Sequence, residues 1–271
     1  MISALQEHFG FTSMPFGRGL PPDALHRHRD CGEAAARITW AVAGKTLGML
    51  TGEAGPGKTA ALRAATAAPG PAQHAIIYIG NPATGVRGIN QHIVTALGGK
   101  PAHGTAALTA QAQGTLAGEA AERGRVPVLI TDEAHLPGHQ QPESIRMLTN
   151  HDMDSKTPFA TILAGQPTLR HMIKLGVLAA LEQRIAVRYH MTGMTPGETA
   201  SYIRHHLRLA GRETHLFSDD AITQIHDSAR GKPRTVNNLA VAALIATCAA
   251  GKNTVDQSAA RAAIAEILAT P

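Results

Sequence analysis

The stretch Gly52-Glu53-Ala54-Gly55-Pro56-Gly57-Lys58-Thr59 fits the pattern G-x-x-x-x-G-K-[ST] and predicts a P-loop. Glycines let the backbone close into a concave turn whose N–H groups point at phosphate oxygens, because a Cβ would collide with the ligand. Lys58 is expected to reach the β- and γ-phosphates, and the Thr59 hydroxyl is expected to ligate Mg²⁺. The residues predicted to bind the nucleotide are Gly52, Glu53, Ala54, Gly55, Pro56, Gly57, Lys58, Thr59 and Ala60.

The sequence on both sides of this loop fits the same interpretation. Residues 46–51 have the pattern of a short buried strand, and residues 58–68 have that of a helix whose positive N-terminal end would face an anion. A Gly/Pro turn between two elements is the alternative. The order of strand, glycine-rich loop and helix favours the binding of ATP with Mg²⁺.

A second motif lies further along the chain. Residues 126–131 predict a buried strand, and Asp132 and Glu133 follow it directly. This is the Walker B arrangement, in which Asp132 would hold Mg²⁺ through its water shell and Glu133 would polarise the attacking water. A solvated strand end is the alternative. The letters Asp-Glu-Ala-His also name a helicase class, but those enzymes need two motor domains and we expect this chain to be too short for them.

Composition limits the class of protein. The 271 residues are 44% hydrophobic and 17% charged, which is typical of a soluble globular protein with one large or two modest domains. A net charge of +5 leans mildly toward a polyanionic partner. The 15 histidines show no metal-binding spacing, and two widely spaced cysteines fit a reducing compartment. With neither a signal peptide nor a membrane-spanning run in the sequence, we expect a cytoplasmic protein.

The order of elements predicts the fold. Short apolar segments alternate with helical patterns from residue 46 onward, which indicates a doubly wound α/β fold with a parallel five-stranded sheet. After about Met191 the pattern is helical throughout, beginning with a capping box at Thr195 and Glu198. The predicted strands are Leu47–Thr51, His74–Ile79, Val126–Thr131, Ala160–Leu163 and Ile185–Tyr189.

The predicted domain organisation has three parts. Residues 1–43 are expected to form an irregular N-terminal segment and a helix that pack on the core, with phenylalanines filling a groove. Residues 44–192 are expected to form the α/β core, and residues 193–271 a small helical lid domain.

Several local strings, together with the two motifs, resemble those of AAA+ ATPases of the ExeA/TniB/TnsC group. The likeness extends over nearly the whole chain, and the Gly-Gln-Pro and Gln-Arg-Ile strings are more specific to this group than the Walker motifs are. The strings are His8-Phe9-Gly10-Phe11, Pro15-Phe16, Leu148-Thr149-Asn150 followed by Asp154-Ser155, Ala164-Gly165-Gln166-Pro167, Glu182-Gln183-Arg184-Ile185 and Gly231-Lys232-Pro233-Arg234.

The resemblance implies further catalytic residues beside Lys58 and Glu133. Gln166 matches a polar sensor of the γ-phosphate, and Arg234 matches a second sensor that couples the nucleotide to the lid. Arg184 matches an arginine finger that reaches a neighbouring subunit's site, where a guanidinium stabilises the charge on the transferred phosphoryl group. Arg188 is the rival candidate for the finger. An ordinary surface or ion-pair role is the alternative for each of these arginines and for Gln166.

The resemblance also implies a function, which is to regulate DNA transposition. Soluble members assemble with ATP on duplex DNA as a ring or a helical filament, and recruit or activate a transposase. ExeA-like members carry a membrane span and a cell-wall-binding part after the ATPase, whereas this sequence stops after the helical tail, so we expect the first branch and no membrane contact. An ExeA-like role in assembling a secretion system, without DNA, is the alternative; a small-molecule kinase is a weaker one. The candidate DNA contacts are Arg87, Lys100, Arg146 and Lys156.

Overall fold

The computed structural model describes residues 2–17, 19–67, 70, 72–136, 138–150 and 157–268. The chain divides into two compact units. The α/β unit comprises Gly32–Glu53 and Lys58–Met191, and the helical unit comprises Met1–Cys31, Ala54–Gly57 and Thr192–Pro271. In chain order, the helices are α1 (Ile2–Phe9), α2 (Arg29–Ala43), α3 (Lys58–Ala67), α4 (Gly85–Ala96), α5 (Thr105–Glu122), α6 (Gln140–Leu148), α7 (Pro167–Ile173), α8 (Ala179–Arg184), α9 (Pro196–Leu209), α10 (Asp219–Ala229), α11 (Pro233–Ala249) and α12 (Gln257–Leu268).

The α/β unit is built on a parallel five-stranded sheet, which confirms the predicted fold class. The strands lie in the order β2-β3-β4-β1-β5, and every neighbouring pair is parallel. β1 and β4 are buried along their whole length, as expected of strands that helices cover on both faces. The strands are β1 (Leu47–Gly52), β2 (His74–Ile79), β3 (Val126–Thr131), β4 (Ala160–Gly165) and β5 (Ile185–Met191).

Strand order decides which residues meet at the carboxyl edge of the sheet. β1 and β4 are paired with Thr51 opposite Gly165, and β3 and β2 are paired with Thr131 opposite Ile79. The chain leaves β1 into the P-loop, β3 into Asp132 and Glu133, and β4 into Gln166. The P-loop lysine and threonine, the two carboxylates and the sensor candidate therefore all follow strands that are neighbours in the sheet.

The core of the α/β unit holds these strand ends in place. Ile77, Leu129 and Leu163, on three adjacent strands, are fully buried together with Ile93 of α4 and Leu108 of α5. Each such side chain contributes on the order of 1.5–3 kcal/mol by its removal from water. Several of these buried residues lie only a few positions before the polar residues at the carboxyl ends of the strands. Their packing in the core therefore restricts the backbone that carries the candidate site.

The helical unit confirms the helix start predicted at Thr195. At the start of α9, the Thr195 hydroxyl accepts a hydrogen bond from the Glu198 N–H, and the Glu198 carboxylate accepts one from the Thr195 N–H. These reciprocal bonds form a capping box, which satisfies two backbone donors that have no partner within the helix. Ser218 caps α10 through the Ala221 N–H, and Asp256 accepts from the Ala259 N–H at the start of α12.

The N-terminal residues differ from the sequence-based expectation. Residues 2–9 form helix α1 rather than an irregular segment, and Met1–Cys31 belong to the helical unit. Phe9, Phe11 and Phe16 are buried in the core of that unit, next to residues of α9 and α11. A helix of eight residues is too short to be stable on its propensity alone, so tertiary packing of the aromatic side chains decides its conformation.

Between β4 and β5 the chain forms two short helices rather than one continuous helix. α7 ends at Ile173, a 3-10 turn follows at Gly176–Leu178, and α8 begins at Ala179. Glycine has low helix propensity, and Gly176 stands where the regular helix stops. In the described part of the chain, no helix combines the length and the apolar character that crossing a membrane requires.

Candidate functional site

The P-loop has the backbone conformation that its glycines predict. Gly55 and Gly57 have φ angles of +95° and +100°, a region that residues with a Cβ rarely adopt. Lys58, the first residue of α3, is 6% exposed, and its Nζ donates hydrogen bonds of 2.8 Å to the carbonyls of Gly52 and Glu53. The ammonium is thus held at the loop where it can act on a phosphate.

Within the helical unit, Arg234 lies beside the P-loop glycine. Its N–H donates to the Gly55 carbonyl at 3.3 Å, and a Cβ built on Gly55 would lie 3.2 Å from the Arg234 Cβ. The absence of a side chain on Gly55 therefore permits this close approach. Within this unit, Gly55 thus contacts the residue that the resemblance marks as a second sensor.

The predicted Mg²⁺ ligands lie next to each other. The Thr59 hydroxyl is 3.3 Å from Asp132 Oδ2, and Asp132 is 5% exposed at the end of β3. A hydroxyl and a carboxylate are both hard oxygen ligands, and Mg²⁺ takes few protein ligands because it keeps several of its waters. The pair therefore fits a magnesium ion bound together with the phosphates of a nucleotide.

Tyr78 is a site residue that the sequence interpretation missed. Its hydroxyl donates a hydrogen bond of 2.9 Å to Asp132 Oδ2, the oxygen that Thr59 also contacts. Burial and the hydrogen bond to Asp132 raise the pKa of Tyr78 to about 12, so the hydroxyl keeps its proton at neutral pH. The sequence does place a tyrosine one residue before the end of β2. Its contact with Asp132 could not be predicted from that position alone, because the contact depends on β2 lying beside β3.

Removal of this hydroxyl should weaken the hold on Mg²⁺. We expect Tyr78→Phe to raise the Mg²⁺ concentration needed for half-maximal hydrolysis by about 10-fold, because an outer partner of a metal-binding carboxylate orients it. A titration of the rate of ATP hydrolysis against Mg²⁺ concentration measures this shift directly. Tyr189→Phe on β5 is the matched control. Equal Mg²⁺ dependence in the two variants would show that Asp132 needs no help from Tyr78.

Glu133 and Gln166 meet through a second residue, His135. His135 Nδ1 lies 3.4 Å from Glu133 Oε2 and 3.3 Å from the Gln166 N–H nitrogen. This one nitrogen can accept from the amide or, when it carries a proton, donate to the carboxylate, but it cannot do both at once. A Cβ on Gly165 would lie 3.2 Å from the same nitrogen, so a glycine there leaves room for the imidazole.

The backbone of Glu133 is unusual. Its φ angle is +51°, in the left-handed region that non-glycine residues seldom occupy and that is often found at functional sites. Its N–H donates to Asp132 Oδ1 at 2.9 Å, and the Glu133 side chain is 41% exposed. Asp132 is therefore held by contacts on both oxygens, while the Glu133 carboxylate remains accessible to a water molecule.

The two arginine-finger candidates have different surroundings within the α/β unit. Arg184, the last residue of α8, is half-buried, and its Nη1 donates to the Thr149 hydroxyl at 2.8 Å. Arg188, on β5, is 48% exposed, and its Nη2 donates to the Glu182 carbonyl at 2.6 Å. Arg184 is therefore anchored by its guanidinium, whereas Arg188 extends further toward solvent.

The candidate DNA contacts are also dissimilar. Arg87 on α4 and Lys100 after it are exposed. Arg146 is only 14% exposed, and its Nε and Nη2 both donate to Glu143 Oε1 at 2.9 and 2.7 Å. An arginine committed to such an ion pair has less to offer a phosphate. Lys156 lies outside the described residues.

The sequence is similar to known proteins in two ways. Residues 42–173 match the family model described as an AAA domain. General secretion pathway protein A of Aeromonas hydrophila is 32% identical over 251 residues, which are 91% of this chain and 45% of that protein. The chain thus spans less than half the length of this relative.

Solved structures share the fold at low sequence identity. The Aeropyrum pernix ORC2 protein in its ADPNP–ADP complexes superposes with a TM-score of 0.69 at 18% identity, covering 93% of this chain and 71% of that one. Drosophila ORC bound to DNA gives a TM-score of 0.64 at 18% identity, covering 99% and 66%. The match to the AAA domain model, the parallel sheet, the P-loop after β1, and Asp132 and Glu133 after β3 together give this chain a P-loop fold of the AAA type.

Proposed function

We propose that the chain binds ATP with Mg²⁺ at the carboxyl edge of its sheet, hydrolyses it, and uses this cycle to control its own assembly. The observation that carries the proposal is the pairing of Thr59 and Asp132 at 3.3 Å, with the exposed Glu133 carboxylate directly after Asp132. One oxygen pair is suited to a hard cation, and the adjacent carboxylate is free to take a proton from water. These are the two requirements of phosphoryl transfer to water.

Each residue then has a defined task. Lys58 neutralises charge on the β- and γ-phosphates, and Thr59 with Asp132 would hold Mg²⁺, which supplies further charge neutralisation when bound. Glu133 accepts the proton of the water that attacks the γ-phosphorus, while the bond from that phosphorus to the ADP oxygen breaks. With His135 neutral, its Nδ1 accepts from the Gln166 N–H and leaves Glu133 available as the base.

The proposed setting of this activity is an oligomer on duplex DNA. Arg184, with Arg188 as its rival, would stabilise transition-state charge in a neighbouring subunit's site, so that hydrolysis depends on assembly. Support for DNA comes from the net charge of +5, the exposed Arg87 and Lys100, and the likeness in fold to an ORC structure bound to DNA. In this proposal, the assembly recruits or activates a transposase at its target and comes apart on hydrolysis.

A secretion-related role is the second candidate function. It is favoured by the 32% identity to General secretion pathway protein A, which extends over 91% of this chain. In that case the same ATP cycle would serve assembly of a secretion system, with membrane-associated or cell-wall partners and no DNA. The ATPase site would be unchanged, so only the partner distinguishes the two functions.

Electron microscopy of the purified chain separates these candidates. We expect ordered rings or helical filaments only when duplex DNA and a slowly hydrolysed ATP analogue are both present. The two matched controls are the protein with the analogue alone and the protein with DNA and ADP. Assemblies that form equally well without DNA would contradict the transposition proposal and favour the secretion alternative.

A further inference from the structure

A cavity in the helical unit has a composition that the ATPase site does not explain. It has a volume of about 320 Å³ and lies along α9, α10 and the connection between them. Leu207, Leu216 and Phe217 contribute an apolar wall, and all three are buried. A concave site with an apolar wall and a few polar groups is the usual form of a ligand-binding site in proteins.

Three arginines recur along this cavity at every fourth position. Arg204 and Arg208 lie on α9 and are exposed, and Arg212 follows the end of that helix. Residues four apart in a helix share one face and are separated by about 6 Å along the axis. Arg204 and Arg208 therefore lie on one face of α9, and Arg212, beyond the end of the helix at Leu209, lines the same cavity.

The charge of these three arginines is poorly compensated. Arg204 is 3.5 Å from Asp219, whose side chain is 93% exposed, and such an open pair is worth little. For Arg208 we find no carboxylate within ion-pair distance among the described residues. Arg212 donates from Nη1 to the Phe9 carbonyl at 2.7 Å, a neutral acceptor that leaves its charge in place. Glu213 is the one acidic side chain among the residues that line the cavity.

The pKa of the nearby His26 is lowered to about 4, chiefly by burial and then by His205 and His28; Glu198 opposes the shift, and Arg208 makes the smallest contribution to it. The carbonyl end of α9 carries a partial charge of about −0.5, which offsets only part of three full positive charges. The surroundings of the cavity therefore favour an anion.

We propose that Arg204, Arg208 and Arg212 bind phosphate groups. A planar guanidinium fits phosphate oxygens with two parallel hydrogen bonds, and three along one cavity suit successive phosphates better than a single point charge. The source is the backbone of duplex DNA, which rests on the proposed DNA-dependent function, or a small free phosphate compound. Neither the P-loop nor the residues that follow β3 and β4 take part in this site.

The salt dependence of DNA binding tests the first source. We expect the full chain carrying Arg204→Ala with Arg208→Ala to bind a labelled duplex more weakly and without regard to its sequence. The slope of log K against log salt should fall by about 0.9 for each lost phosphate contact. Arg261→Ala, an exposed position on α12 of the same unit, is the matched control and should keep the wild-type slope. A thermal unfolding midpoint and a far-UV circular dichroism spectrum equal to those of the wild type show that the double variant is folded.

A second arm uses inorganic pyrophosphate on a Lys58→Ala background, so that the P-loop does not compete for the probe. If pyrophosphate stabilises the chain against thermal unfolding only when Arg204 and Arg208 are present, a small phosphate compound binds in the cavity. This conclusion would hold even if the wild-type chain does not bind DNA and the proposed DNA function is wrong. DNA binding that equals the Arg261→Ala control, with no arginine-dependent effect of pyrophosphate, would overturn the proposal while leaving the DNA function intact. Arginine-dependent binding of polyglutamate in preference to both phosphate probes would also overturn it.

Discussion

Glu133→Gln is expected to lower the rate of ATP hydrolysis by about 10²- to 10⁴-fold, the usual contribution of a general base. The amide has nearly the same shape as the carboxylate but cannot take a proton from water. Lys58, Thr59 and Asp132 are untouched, so ATP and Mg²⁺ should bind with wild-type affinity. Phosphate release under saturating ATP and equilibrium binding of a fluorescent analogue measure the two quantities separately.

The control for this substitution is Glu122→Gln at the exposed end of α5, which makes the same change of charge away from the site. If ATP holds the oligomer together, Glu133→Gln should also prolong the life of assemblies on DNA, because the ATP-bound state no longer decays. Faster disassembly than in the wild type, or hydrolysis at the wild-type rate, would mean that another group activates the water.

Local patterns were enough to find the two halves of the catalytic centre. The P-loop and the pair Asp132 and Glu133 each occupy a continuous stretch, and each is preceded by an apolar strand that is readable by itself. Because the carboxyl ends of parallel strands meet at one edge, their proximity followed from the fold class. In the structure, Thr59 of the P-loop contacts Asp132, as that expectation requires.

Tyr78 and His135 could not be assigned in this way. The role of Tyr78 depends on β2 pairing with β3 in a register that sets Tyr78 opposite Ile130, two residues before Asp132. The role of His135 depends on the left-handed turn at Glu133 and on the absence of a side chain at Gly165. Strand order and backbone reversals are tertiary features, and the residue pattern along the chain does not contain them.

The arginines of the cavity, Arg204 and Arg208 on α9 and Arg212 after it, were visible in the sequence only as scattered charge. Their meaning comes from the helical spacing together with the apolar wall that residues 216 and 217 supply from the next connection. Arg146 is the reverse case. The sequence suggested it as a DNA contact, whereas in the structure its guanidinium donates to the Glu143 carboxylate. Net charge alone does not distinguish arginines that are paired from those that remain available to a ligand.

Arg184→Ala is expected to lower hydrolysis by about 10³-fold or more, the usual contribution of an arginine finger, while leaving nucleotide affinity nearly unchanged. The decisive measurement mixes this variant with Glu133→Gln. An interface in which the Glu133→Gln subunit supplies Arg184 and the other subunit supplies Glu133 contains every catalytic group. In a random equal mixture of a closed ring, about one interface in four is of this kind, so activity should return to about a quarter of the wild-type rate.

The same mixture distinguishes Arg184 from Arg188 and action in trans from action within one subunit. Arg188→Ala is tested in parallel. If Arg184 is the finger, the Arg188→Ala variant should retain most of the wild-type activity. If Arg188 is the finger, Arg188→Ala should instead be the variant whose activity returns when it is mixed with Glu133→Gln. An arginine that acts on its own subunit's nucleotide would give no recovery in any mixture, because no interface would then restore the missing pair. Recovery with one arginine variant and not the other would therefore identify the residue and show that a complete site needs two subunits.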